Sequence, residues 1–175
     1  MQFIKPEKVV AHMGLKAGNK VTDLGCGSGF YTLAAGKIVG NTGRVAAVDV
    51  QDSKLAATKS ITIQSGLHNV EVYQADLEKP FDKVPHGAED GVIAASILHE
   101  VKDRHALLKN AYALLRTGGK LLTVDWKDEH SPFGPSMEKR ISEHDLRAEL
   151  EQLGFRHTKD LNGDVYHYAM VFEKQ

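Results

Sequence analysis

At 175 residues and 19.2 kDa, with 42% hydrophobic and 26% charged residues, the chain has the size and make-up of one globular domain spanning residues 1–175. No run approaches the ~20 apolar residues of a membrane span, and a formal net charge of -1 lacks the bulk positive field of a general nucleic-acid binder. A single cysteine, Cys26, excludes an intrachain disulfide and a cysteine-based structural zinc site; with no apolar leader in MQFIKPEKVV, a reducing, cytoplasmic compartment is expected.

In chain order, a first strand is predicted over Lys20–Leu24, followed at once by the turn Gly25–Gly29 and an Ala-rich helix over Phe30–Val39. After the Gly40–Gly43 punctuation, Arg44–Asp49 reads as a strand ending in an acid. Ser53–Ser65 reads as a helix with Ser53 as its N-cap. Val70–Gln74 alternates as a third strand and runs into Asp76, and Glu89–Ala95 is a fourth, buried strand. Leu107, Leu108, Ala111, Leu114 and Leu115 share one helical face, with Gly118-Gly119 ending that helix. Lys120–Asp125 is a fifth strand. Trp126 to Arg140 is polar and turn-rich, and Ser142–Leu153 returns to a helix closed by Gly154. Two last strands, Arg156–Leu161 and Tyr166–Glu173, flank Asn162-Gly163, a hairpin signal.

Strand–helix alternation of this kind implies an α/β fold: a doubly wound sheet of five parallel strands, finished by an antiparallel C-terminal hairpin. Ligands of such sheets bind beyond the carboxyl ends of the strands. Those ends carry Gly25, Gly27 and Gly29, then Asp49, Asp76, Ser96 to His99, and Asp125 with Trp126. Tight turns and helix caps account for any one of them; five consecutive strand ends point to a ligand site.

A dinucleotide loop spaces its glycines G-x-G-x-x-G. Here the third glycine position is occupied by Phe30, and the G-x-x-x-x-G-K-[ST] phosphate loop is absent. The turn is built for close backbone approach without a phosphate. A carboxylate at Asp49 suits a ribose diol, and Asp76 suits an exocyclic amine. A ligand with an adenosine and no phosphate fits both.

The run Val21-Thr-Asp-Leu-Gly-Cys-Gly-Ser-Gly29 closely resembles the first motif of class I S-adenosylmethionine-dependent methyltransferases. The resemblance covers nearly the whole chain. It is nearest to small single-domain members related to the quinone-biosynthesis C-methyltransferases, and Asp125-Trp-Lys127, Gly134-Pro135 and Arg140 are similar to a subgroup of these. It implies strand order 3-2-1-4-5-7-6 and S-adenosylmethionine as cofactor. By resemblance, Gly25, Gly27 and Gly29 shape the backbone around the methionyl part and ribose, with Asp23 orienting the amino end. Asp49 meets the ribose hydroxyls, Val50 and Leu77 pack on the adenine, Asp76 meets its amine, and Ala95 and Ser96 offer backbone to the methionine amino group.

A sulfonium methyl is already activated, so positioning supplies much of the acceleration. A base is needed only where the acceptor must lose a proton. His99, Glu100, Asp125, Lys127 and His12 are the candidates, with His99 foremost because it titrates in the useful range just past the fourth strand. It is either the group facing the transfer space or a cap of the next helix. Trp126 is a pocket wall or core, and the segment holding His130, Phe133 and Arg140 is an acceptor cover or a solvated loop. No i, i+4 histidine pair marks a metal face, so no metal is expected. The leading function is methyl transfer to a small-molecule acceptor. A nicotinamide-dependent reductase and a non-catalytic S-adenosylmethionine-binding protein are the alternatives.

Overall fold

Apolar runs that end in polar residues become parallel strands when both sheet faces are covered. In the computed structural model, which describes residues 4–161 and 163–175, these runs are β1 (Lys20–Leu24), β2 (Arg44–Asp49), β3 (Val70–Gln74), β4 (Glu89–Ala95) and β5 (Leu115–Trp126). The antiparallel β6 (Phe155–Leu161) and β7 (His167–Lys174) complete a seven-stranded sheet in the order β3-β2-β1-β4-β5-β7-β6, as the resemblance implies. The strand order reverses beside β1, which pairs with β2 on one side and β4 on the other. The crevice of such a sheet opens there.

Alternate residues of each strand feed two cores. One face packs Leu24, Val92, Ala94, Leu121, Met170 and Phe172 under α4 (Arg104–Leu114) and α5 (Glu143–Gln152), through Leu107, Leu108, Ala111, Leu146 and Leu150. The other packs Val21, Val45, Ile93, Leu122 and Val171 under α1 (Pro6–Ala11) and α2 (Phe30–Val39). Leu55 of α3 (Asp52–Gln64) joins Ala47 and Cys26 on that side.

The boundaries depart from the sequence reading in three places. Gln51, not Ser53, is the N-cap of α3, and it makes no side-chain cap; Asp49 Oδ1 instead accepts the Gln51 amide at 2.9 Å, so the strand end does the capping. α4 ends at Leu114, not at Gly118-Gly119. Leu115 is already extended and pairs with Glu89, and the Lys174 ammonium caps the carbonyls of Tyr112 and Leu115 at 2.7 and 2.8 Å. Leu115 stays buried from either backbone, so the apolar periodicity could not tell the helix from the strand. Finally, β6 begins at Phe155 and β7 at His167, each one residue from the expected start, while their antiparallel pairing agrees with the hairpin reading. Asn162 lies outside the described residues. Asp164 Oδ1 organises the loop between these strands by accepting the amides of Tyr166 and His167 at 2.7 and 2.8 Å.

At the opposite, N-terminal end of the parallel strands, Glu89 is fully buried. It accepts from Thr22 Oγ1 at 3.1 Å and pairs with the Arg44 guanidinium. Burial pushes its carboxyl up, opposed by Arg44. Arg44→Met should therefore cost roughly 2–3 kcal/mol of stability, below the ~3–5 kcal/mol of a fully buried pair because Arg44 is partly exposed. With its folded pKa raised further, Glu89 favours the folded chain only when protonated, so the loss in thermal melts should be larger near about pH 8 than near about pH 5.

Candidate active site

The turn after β1 is left-handed at Gly25, Gly27 and Gly29, with φ of +76°, +53° and +83°. That conformation selects glycine, and two of the three are also closely packed. A Cβ on Gly25 would lie 2.6 Å from Ile97, and one on Gly29 would lie 2.8–2.9 Å from Thr58 of α3. A Cβ on Gly27 would meet nothing nearer than the Gly25 carbonyl at 4.0 Å, because it would project into open space. The end of β2 holds the turn: Val48 O accepts the Gly25 and Cys26 amides at 2.8 and 3.0 Å, and Asp49 Oδ2 accepts the Gly27 amide at 3.0 Å.

That open space is a cavity of ≈ 640 Å³ at the carboxyl end of the sheet. Of the residues singled out from sequence, Asp23, Gly25, Gly27, Asp49, Val50, Asp76, Leu77, Ala95 and Ser96 line it together, whereas Gly29 lies behind, in the α2–α3 packing. Asp23 is buried and accepts from Thr32 Oγ1 at 2.6 Å. Burial pushes its carboxyl up to about 6, the Thr32 bonds pull it down, and the Asp49 charge raises it. Asp76 is nearer the surface, held below the usual carboxylate range by the Glu78 amide and by Lys79. Leu77 is buried, but Val50 and Phe30 stand exposed at the rim. Ser96 has a φ of +55°, and its amide is spent on Val124 O at 2.7 Å. Among the described residues, five carboxylates line the cavity (Asp23, Asp49, Asp76, Glu78 and Glu100) against one ammonium, Lys54, and Asp76 is also paired with Lys79 outside the lining.

His99 is not in this cavity. It lines a neighbouring cleft of ≈ 570 Å³ with Trp126, Gly134, Pro135, Ser136 and Lys139, and Ser96 and Glu100 belong to both hollows. Nor does it cap α4, whose N-cap is Asp103, accepting the Ala106 amide at 2.9 Å. Its Nδ1 is 2.7 Å from Asp125 Oδ1. His12 stands apart, in a different hollow with Lys159 Nζ 3.1 Å from its Nδ1. Lys127 lines neither the cavity nor the cleft; its amide is spent on the Tyr166 carbonyl.

A family model described as a methyltransferase domain matches residues 15–169. The chain belongs to this methyltransferase family. The crystal structure of an S-adenosylmethionine-dependent methyltransferase from Aquifex aeolicus is similar, with a TM-score of 0.87 at 30% identity over 97% of this chain and 89% of that one. A ubiquinone/menaquinone biosynthesis C-methyltransferase of Ectopseudomonas mendocina is 34% identical over 122 residues, 69% of this chain and 46% of its own length. Another, of Shewanella halifaxensis, is 32% identical over 157 residues, 89% of this chain and 59% of its own. The chain thus spans about half the length of the curated relatives it matches.

This methyltransferase domain carries lining residues that no motif announced. Tyr31 sits one position past Phe30 on the first turn of α2; burial, and then the charge of Asp23, pushes its hydroxyl up. Ile97 and Val101 add apolar wall, and Ile4 and Pro6 approach from the N-terminal segment. That segment is fastened where Asp164 Oδ2 accepts the Ile4 amide at 2.6 Å. Cys26 borders the cavity, but its buried thiol accepts from Thr58 Oγ1 at 3.4 Å beside Ala47 and Leu55; burial, and then Asp23, pushes the thiol up to about 12. A thiol this weakly acidic is a poor nucleophile.

The turn-rich stretch after β5 is mostly exposed, yet one side chain ties it together. Arg140 uses all five of its N–H donors on it: Nε to Pro135 O, Nη1 to Lys127 O and Glu129 O, and Nη2 to Ser131 Oγ and Phe133 O. Gly134 lies flat on Trp126, where a Cβ would come within 2.5 Å of the indole. An ammonium cannot reproduce this planar fork. Arg140→Lys should therefore speed amide hydrogen exchange across residues 127–140 by about tenfold or more while leaving α4 and the sheet protected.

Proposed function

We propose that this chain transfers the methyl group of S-adenosylmethionine to a small-molecule acceptor, acting as one domain over residues 1–175 in the cytoplasm. The observation that carries the reading is the charge of the cavity. Five carboxylates against one ammonium repel a pyrophosphate and attract a cation. S-adenosylmethionine carries a sulfonium and an ammonium, and supplies an activated methyl when bound. Two further features fit it. The missing Cβ of Gly27 leaves room for a ligand against the turn, and the exposed Val50 has an apolar face with no partner from the chain's own core.

Within this reading Asp23 sits toward the amino end, with Ala95 and Ser96 offering carbonyl oxygens, since the Ser96 amide is already spent. Gly25 and Gly27 bring backbone against the methionyl part and ribose. Gly29 supports them through the α2–α3 packing. Asp49 takes the ribose hydroxyls while holding the turn, Val50 and Leu77 flank the adenine, and Asp76 takes its amine. His99 faces the space the methyl enters. The curated relatives act in quinone biosynthesis, which supports a small acceptor. No helix of the described residues is long and apolar enough to cross a membrane. The same cavity charge weighs against a nicotinamide-dependent reductase. A non-catalytic binding role would give cofactor affinity with no S-adenosylhomocysteine released in any acceptor mixture.

Asp49→Ala should weaken S-adenosylmethionine binding more than tenfold in calorimetry, because a charge-assisted bond contributes roughly 1.5–3 kcal/mol; unchanged affinity in a folded variant would remove the site from the cavity. Titration of Asp23 supplies a second test. As pH falls through about 6, its carboxyl neutralises and affinity should drop, a dependence that Asp23→Asn abolishes. The empty protein should show the opposite sign. A carboxyl with its folded pKa above its unfolded one costs stability at neutral pH, and that cost fades as pH falls.

A further inference from the structure

A second cleft lies beside the cavity, and Ser96 and Glu100, which line both, make the two continuous. The cleft's ≈ 570 Å³ falls in the range of small-molecule sites. Trp126, Gly134 and Pro135 give it an apolar wall, and the Arg140-centred segment keeps that wall in place.

The polar side of the cleft is a histidine held by a buried carboxylate. Asp125 is fully buried at the end of β5. Its Oδ1 accepts from His99 Nδ1 at 2.7 Å and from the Trp126 amide at 2.8 Å, and its Oδ2 is buried with no partner. An ionised carboxylate only accepts, so Nδ1 carries the proton and Nε2 of a neutral ring carries the lone pair. The His99 side chain is 9% exposed, and Nε2 lies 3.8 Å from Glu100 Oε1, beyond hydrogen-bond range. Burying a carboxylate with one oxygen unserved is costly. No capping role offsets that cost, because Asp103 caps α4.

We propose that His99 is the general base of the methyl transfer, that Asp125 is its positioning residue, and that the cleft receives an acceptor whose reacting atom is a hydroxyl acidic enough to pass its proton to an imidazole, for which a phenol is the probe. This inference rests on the methyl-transfer reading above and deepens it. In the step, the hydroxyl proton passes to Nε2 while an oxygen lone pair forms the new O–C bond to the methyl carbon. The C–S bond breaks with its electron pair going to sulfur, and the imidazolium later releases its proton at the cleft mouth. The buried Asp125 carboxylate faces the charge that appears on the ring, as in other carboxylate–imidazole pairs. The other groups facing His99 or its partner are Glu100 beside it, Lys139 across the cleft, and Tyr168 of β7. Tyr168 is the cross-strand neighbour of Asp125, and its hydroxyl is buried without a partner.

The test uses the full chain loaded with S-adenosylhomocysteine, its affinity measured first by calorimetry. Failure of that binding defeats the methyl-transfer reading itself, before the cleft is tested. The loaded protein is then titrated with 4-nitrophenol below the pH at which the free phenol ionises, following the phenolate absorption band. We expect a saturable band in the wild type, reduced about tenfold or more in His99→Gln and in Asp125→Asn, with S-adenosylhomocysteine affinity within about threefold in both. Nitrogen-15 shifts of the wild-type imidazole, which need no variant, should show the neutral ring protonated at Nδ1 and losing that preference in Asp125→Asn. The proposal is overturned by a neutral ring protonated at Nε2, by a phenolate band unchanged in His99→Gln, or by no saturable binding of the phenol to a chain that holds S-adenosylhomocysteine.

Discussion

Everything at the carboxyl end of this sheet depends on one clasp. The three-glycine turn after β1 has left-handed backbone at alternate positions, and a free chain has no reason to stay there. The end of β2 holds it, through Val48 O on two amides and Asp49 on a third. Asp49 spends its other oxygen on the Gln51 amide ahead of α3. One carboxylate thus ties β1's turn, β2's end and the start of α3 into a single rim. The same carboxylate lines the cavity, so these two amides fix its position there. Precise placement of acceptors before a ligand arrives removes an ordering cost that binding would otherwise meet.

The second constraint is the cost of burying charge. Asp23 and Asp125 both lie inside, at the ends of β1 and β5 on either side of β4, and the protein treats them differently. Burial pushes the Asp23 carboxyl up to about 6, and the Thr32 hydroxyl and backbone offset only part of that rise. Asp125 has an imidazole and a backbone amide on one oxygen. A carboxylate short of donors suits a cationic ligand, whereas one already serving a ring fixes which nitrogen of that ring is basic.

Much of the fold was legible because parallel strands covered on both faces read as short continuous apolar runs, and their polar ends mark the crevice directly. The residues expected around the cofactor therefore converge on one cavity with Gly29 the exception, while His99 and Trp126 line the neighbouring cleft. A spacing pattern cannot separate a glycine that meets a ligand from one that meets Thr58. Less legible were features set by distant partners. The end of α4 depends on Lys174, sixty positions on, and on the pairing of Leu115 with Glu89. The order of the 127–140 segment depends on a single arginine reaching five acceptors, which composition reports only as a polar stretch. Ile4 enters the cavity because Asp164 holds its amide from the far end of the chain. None of these has a local signature.

The two ends of the sheet also differ in how completely they cancel their charge. At the amino end of the parallel strands Arg44 meets Glu89, Arg116 meets Asp90, and Lys120 and Arg156 share Glu173. At the carboxyl end the cavity holds its carboxylates against one lysine. The cavity lining therefore presents a local negative field to an approaching cation, although the net charge of the chain is only -1. Such a field acts on the approach of a cation more than on its final contacts. It is a rate effect, strongest in dilute buffer and largely screened beyond about 8 Å at physiological ionic strength.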